Sequence, residues 1–140
     1  MQVVILHESL TGNTERAARL IANAFYDHQI AARVFPVDGY DPDALVEADL
    51  VVAGSWTDGF FVIGQKPGRR KKFTQLPDLS GKRAAVFCTF AVDPGHTLDK
   101  LTRIVAERGA DVIGGLAIRR DHIEAGAADF VDRLLEVVSA

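Results

Sequence analysis

The stretch "HESLTGNTER", residues 7–16, joins the apolar run Gln2 to Leu6 to the first segment of helical period, and its reading decides the fold. It carries three hydroxyls and one glycine, with no Lys or Arg before Arg16. A helix that starts directly after a strand aims unpaired N–H groups and a partial positive charge into the space beyond that strand. It can therefore hold a phosphate without a basic side chain. Ser9, Thr11 and Thr14 add hydroxyl donors, Gly12 allows close backbone approach, and Asn13 tolerates a tight turn. The plainer alternative is that Thr11 or Thr14 merely caps the helix.

Working outward, strand-length apolar runs alternate with segments of helical period. The runs are Gln2 to Leu6, Ala32 to Val37, Leu50 to Gly54, Arg83 to Phe90 and Asp111 to Ile118. Several are apolar on both faces, as central parallel strands covered by helices require. The first helix, about Thr14 to His28, sets Ala17, Leu20, Ile21, Ala24 and Phe25 on one stripe. Asp41 and Pro42 suit the start of a short second helix through Ala48, and a third begins in the basic run and ends before Pro77. The fourth holds Leu98, Leu101, Ile104 and Val105 and stops at Gly109, and the fifth carries Phe130, Val131, Leu134, Leu135 and Val138. The expectation is one α/β domain over residues 1–140, a three-layer, doubly wound, five-stranded parallel sheet. Such sheets bind ligands beyond the carboxyl ends of their strands.

Composition narrows the function. The apolar runs are too short to span a bilayer and nothing at the amino end resembles a signal peptide, so a soluble cytoplasmic protein with no membrane role is expected. A net charge of −3 gives no general reason to expect nucleic acid. The lone Cys88 excludes an internal disulfide. The four histidines lack metal-ligand spacing, so no metal is expected, and there is no G-x-S-x-G elbow. "GFFVIGQK", residues 59–66, has P-loop glycine spacing but lacks the terminal Gly-Lys-Ser/Thr, and no G-x-G-x-x-G is present. Cys88 lacks the phosphatase C-x5-R pattern, because Pro94 stands where Arg would fall, and Ser55 occupies the position of a receiver domain's acceptor aspartate.

Ser9 to Thr14, "SLTGNT", resembles the phosphate loop T/S-x-T-G-x-T of the flavodoxin family over all six positions, and the order of elements resembles that family over nearly the whole chain. The resemblance implies a short-chain flavodoxin-like fold, strand order 2-1-3-4-5, with FMN as cofactor. Its phosphate would then lie on Ser9, Leu10, Thr11, Gly12, Asn13 and Thr14. The family grips the flavin ring with the loops after the third and fourth strands. By resemblance these are Ser55, Trp56, Thr57, Asp58 and Gly59, followed by Thr89, Phe90, Ala91, Asp93 and Gly95.

Two departures from the family pattern stand out. Flavodoxins often read G-S-x-T-W-G after the third strand, whereas here Trp56 comes two places early and Asp58 takes the aromatic's position. Trp56 either reaches the ring from a rebuilt loop or packs in the core. Val92 stands near the usual outer aromatic. Gly59 matches the glycine whose preceding peptide, in the family, turns over on flavin reduction; its other reading is a simple Asp-Gly turn. Glu8, Asp58 and Asp93, if close, would place a negative field at the site and lower the potential of the cofactor.

"KPGRRKK", residues 66–72, concentrates five basic groups, against 3 basic and 9 acidic in residues 1–65. Lys66, Arg69, Arg70, Lys71 and Lys72 could form the solvated face of the third helix or dock an acidic redox partner, with Phe60, Phe61, Val62 and Ile63 as an apolar neighbour. With no catalytic acid or base evident, the leading expectation is a low-potential carrier shuttling single electrons between a reductase and an acceptor enzyme. The alternatives are a small FMN-dependent NAD(P)H:quinone-type oxidoreductase and a binding or regulatory module of the same fold that has lost flavin.

Overall fold

The computed structural model of the protein describes residues 1–60 and 63–139. In chain order its elements are β1 (Gln2–His7), α1 (Asn13–Asp27), β2 (Ala31–Pro36), α2 (Pro42–Glu47), β3 (Leu50–Phe60), β4 (Ile63–Pro67), α3 (Lys71–Thr74), β5 (Arg83–Phe90), α4 (Thr97–Glu107), β6 (Asp111–Arg119) and α5 (Ile123–Ser139). The five apolar runs form a parallel sheet in the order β2-β1-β3-β5-β6, which is the expected doubly wound order once β4 is set aside. Strand order reverses between β1 and β3, so the ends of those strands make the crevice where such sheets bind ligands.

Alternation along the strands builds two cores. Val3, Ile5, Leu50, Val52, Ala85 and Phe87 face α1 and α5, where Ile21, Phe25, Phe130 and Val131 are fully buried against them. Val4, Leu6, Val51, Ala53, Ala84 and Val86 face the opposite layer, meeting Leu45, Phe73, Leu79, Leu101 and Val105. The punctuation matches its chemistry: the Asp41 side chain accepts a 3.0 Å hydrogen bond from the Asp43 N–H at the start of α2, and Gly109, with φ 97°, follows α4. Among the described residues, no helix is long and apolar enough to cross a membrane.

One expectation is corrected. The segment after Gly54 is not a loop running into a helix, because β3 continues to Phe60 and pairs antiparallel with β4, Thr57 opposite Pro67 and Asp58 opposite Lys66. That makes a sixth strand at the margin of the five-stranded parallel sheet. "IGQKP" has poor strand propensity by itself, so its place comes from tertiary bonds. The Gly68 N–H donates to the Trp56 carbonyl at 2.9 Å, Ser55 Oγ to the Gly68 carbonyl at 2.7 Å, and Lys100 Nζ to the Gln65 carbonyl at 2.7 Å. The expected third helix shrinks to the single turn α3.

Gly54 lies where β3 passes over the Phe87 ring, and a Cβ there would fall 2.0 Å from that ring. Phe87 is fully buried and packs on Phe130 with centroids 6.1 Å apart, so it has nowhere to retreat. Gly54→Ala is expected to destabilise the fold by about 2–3 kcal/mol, read as a lower urea midpoint at unchanged m-value.

Candidate functional site

The loop from Ser9 to Thr14 enters α1 through Gly12, which occupies the N-cap position in the left-handed region (φ 98°) and offers no side chain to cap the helix. A Cβ at Gly12 would meet nothing within 4 Å, so backbone conformation rather than crowding favours glycine there. The N–H of Arg16 already bonds the Gly12 carbonyl at 2.9 Å. The preceding N–H groups, of Asn13, Thr14 and Glu15, have no acceptor within the helix and face outward. The hydroxyl groups brace this turn: Ser9 Oγ accepts from the Gly12 N–H at 3.0 Å, and Asn13 Nδ2 donates to Thr11 Oγ1 at 3.4 Å. Neither Thr11 nor Thr14 caps the helix.

Thr14 turns inward instead. Its hydroxyl lies 2.8 Å from that of Thr89, both side chains being buried, and this bond ties the start of α1 to the end of β5. Each hydroxyl has one proton and only one is used between them, so the pair retains an O–H to donate. Beside it opens a cavity of about 160 Å³, lined by Ser9, Leu10, Thr11, Asn13, Thr14, Trp56, Thr57, Thr89, Phe90, Ala91 and Arg120. Thr57 Oγ1 is buried there and makes no hydrogen bond of good geometry, the weakly bonding Cys88 thiol being its neighbour. An uncapped helix end and a poorly satisfied buried hydroxyl on one cavity fit an anionic, hydrogen-bonding ligand.

Other residues singled out in the sequence sit around this cavity without lining it. Ser55 is fully buried and its hydroxyl is committed to the Gly68 carbonyl. Asp58 and Gly59 lie exposed at the hairpin, Gly59 with φ 123°, where an added Cβ would fall 2.9 Å from the Gly64 carbonyl oxygen. Asp93 accepts from the Gly95 N–H at 2.9 Å in a local turn, and Gln65 Nε2 reaches the Asp93 carbonyl at 3.4 Å, so this turn is tied to the hairpin. Val92 is 90% exposed. Cys88 is fully buried; desolvation pushes its thiol up to about 12, with the Thr57 hydroxyl tempering the rise, and it stays a neutral core group.

Trp56 is half-buried on the cavity wall rather than lost in the core. Gly68 packs against its ring, where a Cβ would fall 2.1 Å away, and the Arg69 guanidinium lies 5.4 Å from the ring centroid. Glu8 is buried and bonded by Arg69 Nη1 at 2.6 Å and Lys72 Nζ at 2.9 Å, so its charge is compensated locally and the negative field expected from it is cancelled. Lys72 also meets Asp38 at 3.0 Å. The hydrogen bonds it donates to Glu8 and then to Asp38 hold the Lys72 ammonium above its usual range, and the same contact lowers Asp38. Two of the five basic groups, Arg69 and Lys72, are thus turned toward carboxylates of this chain. Lys66, Arg70 and Lys71 stay exposed, while their expected apolar neighbours Phe61 and Val62 lie outside the described residues.

Arg120 escaped the sequence reading. It follows β6 directly and its N–H donates to the Phe90 carbonyl at 2.9 Å, which brings the residue to the cavity. A basic residue just past the last strand was the available signal, because that edge is where a doubly wound sheet binds. Among the described residues, no group of three or more His, Cys, Asp or Glu is arranged to hold a metal ion.

Comparison with known proteins gives the same architecture. The family model described as flavodoxin matches residues 5–134. Oxidised flavodoxin 1 from Bacillus cereus is 27% identical, with a TM-score of 0.69 over 94% of this chain and 98% of that one. The two-electron reduced flavodoxin of Megasphaera elsdenii is 23% identical, with a TM-score of 0.71 over 91% and 98%. A flavodoxin from the domain Archaea is 19% identical, again at 0.71, over 96% and 99%. No curated protein matches.

His7, the last residue of β1, is 5% exposed, and its Nδ1 has no partner. Desolvation lowers its pKa below the ordinary 6.5, opposed by Glu15 at 4.0 Å. The unfolded chain therefore takes up the proton first, and stability falls as pH drops through 6.5 toward the folded value, being fully present above it. Denaturant titrations at pH 7.5 and about pH 5.5 are expected to show this loss in the native protein and a smaller one in His7→Gln.

Proposed function

The chain belongs to the flavodoxin family, whose cofactor is FMN, and we propose that it works as an electron carrier, taking single electrons from a reductase and passing them to an acceptor enzyme. The observation that carries this reading is the uncapped first turn of α1 opening onto the same cavity as Trp56 and the poorly satisfied Thr57 hydroxyl. In this arrangement residues 9–14 would hold the phosphate, and the Thr14–Thr89 hydroxyl pair would have an O–H to donate to it. Arg120 adds a flexible positive charge at the rim. Trp56 would hold the flavin ring on one side, with Thr57 to Gly59 and Thr89 to Gly95 as the residues that would surround it.

Bound FMN supplies one-electron chemistry on its ring, and the chain supplies binding, orientation and exclusion of water. Trp56 and Phe90 give apolar surface, and backbone groups at the ends of β3 and β5 would meet the polar edge. No residue of the cavity is placed as a general acid or base, and a carrier needs none. The exposed Lys66, Arg70 and Lys71 offer a positive docking face for acidic redox partners, which would make reduction by the reductase sensitive to salt.

Potentiometric titration of the FMN-loaded protein is expected to resolve two one-electron steps, and the isolated protein to oxidise NADPH no faster than free FMN does. Rapid NADPH turnover would instead identify an oxidoreductase, and failure to bind FMN at high micromolar concentration would remove both readings. Arg120→Ala is expected to weaken FMN about three- to tenfold, with the loss fading as salt rises.

A further inference from the structure

We propose that Arg69 is a positioning residue for Trp56, anchored on Glu8, and that this three-residue relay both holds the aromatic wall of the cavity and sets the charge behind it. The proposal deepens the functional reading above and rests on it for the ligand, though not for the position of Trp56.

Four observations converge on the relay. Arg69 is half-exposed, yet its backbone takes φ 47°, a left-handed conformation that residues with a Cβ rarely adopt. The residue before it is the glycine whose Cα presses on the tryptophan ring, where a side chain could not fit. That bend places the guanidinium over Trp56 at 5.4 Å, within the range at which a cation is drawn to an aromatic face. The same guanidinium meets Glu8 at 2.6 Å, and Glu8 is fixed by its own backbone, its N–H donating to the Gly54 carbonyl at 3.0 Å. The end of β1 therefore reaches the wall of the cavity through a buried carboxylate, a planar cation and an indole.

This accounts for the departure of the third loop from the family pattern. Trp56 is still within β3, paired with Thr89 of β5, so it has no loop of its own to close it onto a ligand. Its orientation must be held from outside the strand, and the Gly68–Arg69 turn does so. Lys72 shares the carboxylate but does not touch the indole, which makes it the natural control.

Trp56 is the single tryptophan of the chain, so apoprotein fluorescence reports on it alone. Arg69→Ala is expected to red-shift that emission and increase quenching by acrylamide, Arg69→Lys to recover part of the change, and Lys72→Ala to leave the spectrum as in the native protein. FMN affinity should fall roughly three- to tenfold in Arg69→Ala. In the loaded protein Glu8→Gln should raise the midpoint potential and Arg69→Ala lower it, because one removes a negative charge and the other a positive one. Shifts of the same sign would mean general damage and overturn the electrostatic half of the proposal. A native tryptophan spectrum in Arg69→Ala would overturn the positioning half. If the native protein fails to bind FMN, the functional reading falls, and the apoprotein spectra still decide whether Arg69 positions Trp56.

Discussion

The site depends on one arrangement of backbone: the first turn of α1 begins without a side-chain cap. Gly12 can take the left-handed conformation at the N-cap, so the chain turns from β1 into α1 within a few residues and leaves N–H groups facing the crevice. A capping hydroxyl at that position would occupy the donors the ligand needs. Thr14 is available for a different task because it is free of capping. Its bond to Thr89 fixes the start of α1 relative to the end of β5, so these two walls of the cavity are built as one piece.

Around this neutral donor cradle the charges are handled by pairing. Glu8 is buried one residue past β1, where an unpaired carboxylate would be costly to desolvate, and Arg69 and Lys72 come 61 and 64 residues later in the chain to meet it. The pairing has a structural consequence beyond charge balance. It draws the turn after β4 against β1, and Ser55, Gly68 and Gln65 complete the bracing of the hairpin. The hairpin in turn carries Asp58 and Gly59 and touches the Asp93–Gly95 turn through Gln65.

What was legible in the sequence was what is local. The strand-to-helix loop is read from residues 9–14 because its hydroxyls and its glycine are consecutive in the chain, and the parallel strands announce themselves by being apolar on both faces. The β4 strand was not legible, since Ile63 to Pro67 contains a glycine, a lysine and a proline and pairs only because distant groups hold it. For the same reason the basic run read as an exposed face, solvated or docking, although two of its five charges turn to partners far away in sequence. Trp56 was left with two possible destinations, and what keeps it on the cavity wall, the turn at Gly68 and Arg69, lies twelve and thirteen residues on.

The central claim is that the uncapped start of α1 is the phosphate end of the cavity. It is tested most directly by titrating the apoprotein with FMN and with riboflavin, which share the ring and ribityl chain and differ only in the phosphate, following quenching of flavin fluorescence. The account predicts that FMN binds at least about a hundredfold more tightly, as several charge-assisted bonds to backbone N–H groups imply. Equal affinities for the two would contradict it.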